Sequence, residues 1–325
     1  MTDHQSGTSR PRITVFVPTP LMVVEVMTPF VRRDRGPQES EVHVYPGGQG
    51  LWVARMAVAL GADVTVCGPF GGELGPSIVT MVREFGATVH PVPGPTANGG
   101  FVYDLRGGTR EVLARMSPRP LSRHEIDDLY GAALVDALEA DVTVVTGAEP
   151  EDVLPADVYG RLVHDVRAAG RPVVADLSGA AALAAVDAGL DVLKISHEEL
   201  ADGGLTDADS LEALAEAAER LRERGARAVI VSRADESALL ADAEGFHQVR
   251  GPRITPVDHH GAGDSMTAGI AVGLARGESL IEALRLGTAA GSLNVSRHGL
   301  ATGRRDTIER LYRSGWVAHQ QEEPT

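Results

Sequence analysis

Short runs of β-branched residues recur along the chain: ITVFV from Ile13, VTVC from Val64, VTVV from Val142, PVVA from Pro172, DVLKI from Asp191 and AVIV from Ala228. Between them lie Ala- and Leu-rich stretches with helical spacing. One of these, SLEALAEAAERLRERG from Ser210, opens on an N-cap residue and closes on a glycine. Strand and helix alternate, which predicts an α/β fold: a doubly wound, mostly parallel sheet with helices on both faces. Two regions break the alternation. From Met22 to Tyr45, and again from Gly99 to Met116, the pattern is strand, polar turn, strand with no helix between. Hairpins inserted into a doubly wound sheet predict a small β-sheet lid, at about 22–46 and 98–116, beside the strand ends where ligands bind. The other reading of these segments is an edge hairpin without a ligand role. The chain is then a single α/β domain over 1–325, with polar ends at 1–11 and 318–325 that are expected to be loose.

A chain of 325 residues can bury a substantial core, and with aromatics at only 4% that core must come from Val, Leu, Ile and Ala. A net charge of -15 argues against a nucleic-acid or anionic-membrane partner, since both require clustered Lys and Arg, but it leaves a local site for a phosphorylated small molecule open. The single cysteine, Cys67, excludes an internal disulfide and reads as a buried structural thiol in VTVCG. The first residues carry no signal-peptide pattern, and no stretch approaches the ~18 apolar residues of a membrane span, so a cytoplasmic location is expected.

The candidate chemistry lies in VDHHGAGDSMTAG, Val257 to Gly269. Met266, Ile270 and Leu274 fall four apart and predict a helix that stops at Gly277, so Gly261, Ala262 and Gly263 stand at its N-terminus. Amides there have no partner within the helix, the dipole adds positive charge, and few side chains obstruct a phosphate. Asp264 would repel that anion, so an acid at this point suits a base that takes the proton of a hydroxyl attacking the phosphoryl group. An Asp in a first helical turn is also a favourable dipole partner without any catalytic duty. His259 and His260 have no further ligands at metal spacing, and neighbours on an extended strand point to opposite faces.

Here the sequence resembles the PfkB/ribokinase family of sugar kinases, in its 1-phosphofructokinase-like branch. Asp258, Gly261, Ala262, Gly263 and Asp264 match the family's second signature, with His259 where the family has threonine. GGQGLWVARMAVALGADVTVCGPFGGELG, Gly47 to Gly75, matches the first, and AAGSLNVSRHGLATG looks like the adenine-side helix and loop. The resemblance implies a ribokinase-like fold and an ATP-dependent kinase that uses Mg²⁺. It implies Asp264 as general base and Gly261, Ala262 and Gly263 as anion hole. On the nucleotide side it points to Lys194, Ser196, Glu199, Ser232, Arg233 and Asn294, with Glu199 ordering Mg²⁺ through water, and it suggests a monovalent cation near Asp258. On the acceptor side it points to Thr19, Gly47, Gly48, Gln49, Trp52 and Arg106. A homodimer formed through the lid is implied as well.

The departures from the family cluster away from Asp264. Ser196 replaces the asparagine of the family's Asn-x-x-Glu, and Ala234 and Ser237 replace two nucleotide-side glycines, which would crowd a close backbone approach. The first-strand aspartate is missing, with Thr19, Leu21 or Met22 near its place and Glu25 beyond. Gln49 and Trp52 stand where the family has lysine and asparagine. These changes predict an acceptor less phosphate-like than fructose 1-phosphate, such as a nucleoside stacked on Trp52, while Arg106, Arg110 and Arg115 on the lid could restore affinity for a phosphosugar. The leading expectation is a kinase acting on an alcohol of a small sugar, sugar phosphate or nucleoside-like molecule. The alternative is a catalytically weak binding or regulatory protein on the same fold. A dinucleotide oxidoreductase lacks its glycine motif after the first strand, where FVPTPLM stands.

Overall fold

The computed structural model describes residues 10–28, 39–252, 254–255, 257, 259–296, 301–314 and 319–320. Residues 1–9, 29–38 and 321–325, and Asp258 with its expected cation, lie outside the described residues. The chain runs through β1 (Arg12–Phe16), β2 (Leu21–Met27), β3 (Glu41–Gly47), α1 (Gln49–Ala59), β4 (Asp63–Pro69), α2 (Gly75–Glu84) and β5 (Thr88–Val92). Next come β6 (Gly99–Asp104), β7 (Glu111–Met116), α3 (Arg123–Glu139), β8 (Val142–Thr146), α4 (Ala156–Ala168), β9 (Val173–Asp176) and α5 (Gly179–Asp187). The rest is β10 (Val192–Ser196), α6 (His197–Asp202), α7 (Leu211–Arg224), β11 (Ala228–Ser232), β12 (Ala238–Asp242), β13 (Gly245–Val249), α8 (Ala262–Ala275), α9 (Leu280–Val295), α10 (Arg305–Arg313) and β14 (His319–Gln320).

The large sheet has the order β14-β13-β12-β11-β10-β9-β8-β1-β4-β5. Every pairing from β5 to β11 is parallel, and the three at the other edge are antiparallel. β8 and β9 are buried at every position, as a strand covered on both faces requires. Successive strands run outward in opposite directions from the β1–β8 pair, so a crevice opens at their carboxyl ends. Within the end expected to be loose from residue 318 onward, His319–Gln320 pairs with β13 as an edge strand.

Each face of the sheet has its own core. On one, Leu51 and Met56 of α1 meet Ile270 of α8 and Leu286 of α9; on the other, Leu129, Tyr159, Leu162 and Leu221 pack under α3, α4 and α7. Cys67 is buried in the second, where burial drives its thiol pKa far up, so the expected structural thiol is found. The burial of α8 differs from the expected stripe. Met266 and Leu274 are only half-buried, whereas Ser265 and the run from Thr267 to Gly273 are fully buried. The helix is enclosed between the sheet and α9, so spacing alone did not pick out a single core face. A Cβ on Gly269 would stand 2.5 Å from the Gly287 Cα, and one on Gly291 would stand 2.9 Å from the Ala262 carbonyl oxygen. Small residues thus let α9 press against the start of α8.

The two expected hairpins form one four-stranded sheet of order β3-β2-β6-β7. Within it β2–β3 and β6–β7 are antiparallel, and the parallel β2–β6 pairing joins the hairpins. Val24, Val26, Val42, Val44, Val102 and Ala114 share one face by register. Val42 is 61% and Val44 48% exposed on it.

Candidate active site

The glycine-rich loop is held from behind. Gly261 is the N-cap of α8 with φ 73°, a left-handed conformation that favours glycine, and Asp264 lies in the first turn. Ser265 Oγ donates to the Gly261 carbonyl at 2.7 Å. Asn294, 1% exposed, donates through Nδ2 to the His260 carbonyl at 2.7 Å and accepts the Ala301 N–H at 2.7 Å. Both ends of its amide are thus spent on backbone, so Asn294 ties the glycine-rich loop to the segment at Ala301.

Beneath the loop lies a buried ionic group. Lys194 Nζ is 3.1 Å from Asp176 Oδ1, and Thr267 Oγ1 donates to Asp176 Oδ2 at 2.6 Å and to the Gly263 carbonyl at 3.1 Å. Asp176 is 0% and Lys194 5% exposed. The Asp264 carboxyl is pushed up to about 8, first by burial and then by the charges of Asp176 and Glu199, with Lys194 opposing. Burial pushes the Lys194 ammonium down, but Asp176, Glu199 and Asp264 outweigh it and the net direction is up. Asp176 itself is pushed up by burial and pulled back by Lys194 and Thr267.

A cleft of about 1020 Å³ opens beside the loop, lined among others by Lys194, Ser196, Ser232, Arg233, His259 and Gly263. It is large enough for a nucleotide. Ser196 caps α6 in a reciprocal box: its Oγ accepts the Glu199 N–H at 3.1 Å and its own N–H reaches Glu199 Oε2 at 2.7 Å. Glu199 therefore has a capping duty in addition to facing Asp264 and Lys194. Arg233 is 9% exposed and pairs with Glu236 across the turn after β11. Ala234 keeps φ 39°, so the backbone shape expected of a glycine persists under an alanine. Ser237 donates to Gln248 Oε1 at 3.0 Å and serves the β12–β13 hairpin. Among the described residues no group of three or more His, Cys, Asp or Glu could hold a metal ion.

Among the residues expected to meet the acceptor, Gly48 has φ 98°, and a Cβ there would stand 2.7 Å from the Thr19 carbonyl oxygen. Gln49 Oε1 accepts the Gly147 N–H at 2.9 Å, and Thr19 Oγ1 accepts the Glu149 N–H at 3.2 Å. The first helix is thereby tied to the end of β8 at the crevice. Gly47 lies beside Val23 and the edge of Trp52, whose indole is partly buried against the core, with its N–H enclosed and without a partner among the described residues. That packing leaves Trp52 poorly placed as a free stacking platform. Arg106 sits in the β6–β7 turn, at the end of the lid remote from β1, and is chelated by Asp104 with its Nε at 2.9 Å. Arg110 pairs with Glu25 at 3.2 Å and lies 4.0 Å over the Tyr103 ring. Arg115, opposite Phe101 nearer the lid base, has no carboxylate partner among the described residues. The structure therefore gathers Asp264, Lys194 and Glu199 at one point and sets Thr19, Gly48 and Gln49 at another, while Arg106 stands apart from both.

Asp176, Thr267 and Gly147 were not among the expected site residues. Asp176 and Thr267 are 91 positions apart and meet only through the packing of α8 on the sheet. Asp176 does carry a signal in hindsight, as a carboxylate ending an otherwise apolar strand, VVAD.

A doubly wound sheet with a small four-stranded lid, and an acid at a glycine-built helix start beside a nucleotide-sized cleft, define a ribokinase-like phosphotransferase that acts on a sugar hydroxyl. The chain belongs to the PfkB family of carbohydrate kinases, whose family model matches residues 21–307. It is 33% identical over 312 residues to the ATP-dependent 6-phosphofructokinase isozyme 2 of Mycobacterium tuberculosis, covering 93% of this chain and 89% of that one. It is 31% identical over 264 residues to the 1-phosphofructokinase of Bacillus subtilis, covering 79% and 84%. Among solved structures, phosphofructokinase-2 from Escherichia coli in complex with potassium superposes with a TM-score of 0.81 at 25% identity, covering 93% and 98%.

Proposed function

We propose that this sugar kinase transfers the terminal phosphoryl group of ATP to a hydroxyl of a hexose phosphate, with Asp264 as general base and the amides of Gly261, Ala262 and Gly263 as anion hole. The observation that carries this reading is the position of Asp264: in the first turn of α8, next to Gly263 of the cleft lining and within electrostatic reach of the buried Lys194 ammonium. Asp264 takes the acceptor proton as the new P–O bond forms, while the loop amides and Lys194 stabilise charge on the transferred group. Arg233 meets the polyphosphate in place of the lost glycine approach and exchanges Glu236 for it.

Mg²⁺, when bound, would screen the phosphates. Among the described residues the chain offers no three-ligand cluster, and one Glu199 oxygen is engaged in a helix cap, so this donor set suits an ion held mainly by phosphates and water. A monovalent cation near Asp258 is part of the proposal, and a potassium dependence lost in Asp258→Ala would support it.

For the acceptor, the two phosphofructokinase relatives favour a hexose phosphate over a nucleoside, and the packed Trp52 argues in the same direction. Arg115 is the lid cation proposed to meet the acceptor's phosphate, because Arg106 and Arg110 are already paired. A homodimer through the lid is proposed on its exposed valine face. The test is ADP release from ATP and Mg²⁺ with fructose 6-phosphate, fructose 1-phosphate, free sugars and nucleosides. Turnover on a hexose phosphate that Asp264→Asn abolishes supports the reading. Tight ligand binding without ADP release over the whole panel would favour the binding-protein alternative instead.

A further inference from the structure

Lys194 is the only lysine in the chain; every other side chain among its 30 Lys and Arg is an arginine. The one place that keeps an ammonium is buried, 5% exposed, and pressed so closely on the phosphate loop that a Cβ on Gly263 would stand 2.8 Å from Nζ. A planar guanidinium is larger and needs a fork of acceptors, whereas an ammonium is a compact point charge that fits this slot. Its position is set by Asp176, which receives Lys194 on both oxygens, at 3.1 and 3.4 Å, and Thr267 on the second of them, while Thr267 also bonds the Gly263 carbonyl. One fully buried carboxylate thereby joins β9, β10 and the N-terminal half of α8.

We infer that Asp176 is a positioning residue for phosphoryl transfer: it holds the Lys194 ammonium beneath the anion loop and keeps it from closing onto the Asp264 carboxylate. The inference deepens the proposed function and rests on its reading of Asp264 and the loop. Asp264 and Lys194 face the same set of groups: Asp176 from β9, Glu199 from α6 and each other; His259, on the loop before α8, lines the same cleft as Lys194. A neutral side chain at 176 frees Lys194 to turn toward Asp264, which costs the base its proton affinity and the transferred group its cation. Thr267 acts through Asp176 and shares its consequences to a smaller degree.

A single lysine makes the test direct, because the full-length protein labelled with ¹⁵N-lysine has one ζ resonance. In the wild type that ammonium should stay protonated above the ordinary lysine range; in Asp176→Asn its titration midpoint should fall by at least one pH unit. Thr267→Val should move it the same way by less, and Thr267→Ser, which keeps the hydroxyl, should restore it. In steady-state kinetics Asp176→Asn should lower kcat at least tenfold with a smaller change in KM for ATP, and should shift the acid limb of kcat/KM to lower pH. If Asp176→Asn fails to fold, the Thr267 pair carries the same readouts. A midpoint and an acid limb that stay put in Asp176→Asn, or in both Thr267 variants, overturn the inference. A shifted lysine midpoint in a protein that phosphorylates nothing would leave the positioning role standing and remove the kinase reading.

Discussion

The side-chain oxygen of Gln49 accepts the backbone N–H of Gly147 across 98 positions of sequence, at 2.9 Å. This bond fastens the start of α1 to the end of β8, the point where the strand order reverses. Gln49→Ala leaves that amide without its acceptor, at a cost of about 1 kcal/mol. Thermal unfolding should drop by about 2 °C and KM for the acceptor should rise, while Gln49→Glu, which keeps the oxygen, should hold the wild-type melting temperature.

Asp264 has a folded pKa near 8 and an unfolded one near the ordinary carboxylate value. A raised carboxyl favours the folded state most at low pH, and that contribution is lost as pH rises from about 4 through 8. The melting temperature of the wild type relative to Asp264→Asn should therefore fall between pH 5 and pH 9. Over the same range kcat/KM of the wild type should climb as the base loses its proton, and Asp264→Asn should lower kcat by about 10²–10⁴.

Ala234 occupies a left-handed backbone position with φ 39°. Such a conformation costs a residue bearing a Cβ about 1–3 kcal/mol, partly offset by the freedom glycine has in the unfolded chain. Ala234→Gly should raise stability by about 1 kcal/mol in denaturant titration and lower KM for ATP.

Gly269 has no room for a methyl group, since the Gly287 backbone would lie 2.5 Å from it. Gly269→Ala should destabilise by about 1–3 kcal/mol and displace the first turn of α8. Circular dichroism melts and kcat, measured together, should both fall.

Val44 is 48% exposed in the middle of the lid's valine face. Placing a charge there opposes burial against a second copy. Light scattering coupled to gel filtration should give a dimer for the wild type and a monomer for Val44→Glu, with each protein still folded.

The alternation of apolar strands with Ala- and Leu-rich helices was enough to specify a doubly wound sheet with a two-hairpin lid, because each element buries its own face by its own period. The glycines and acid at 261–264 were legible for the same local reason: a helix start, a bare backbone and a carboxylate are properties of consecutive residues. Arg106 was less legible, since an arginine on a hairpin says nothing about whether its neighbour Asp104 already holds it. Asn294 was read as a nucleotide-side residue, and only packing shows that its amide is committed to His260 and Ala301. Asp176, Lys194 and Thr267 belong to two strands and a helix, and no spacing along the chain relates them. What the sequence determined by itself was every feature whose cause lies within one element. The tertiary structure alone decided which buried charges share a partner, because that depends on the packing of α8 on β8 and β9 beside β10 and on the low dielectric that the packing creates.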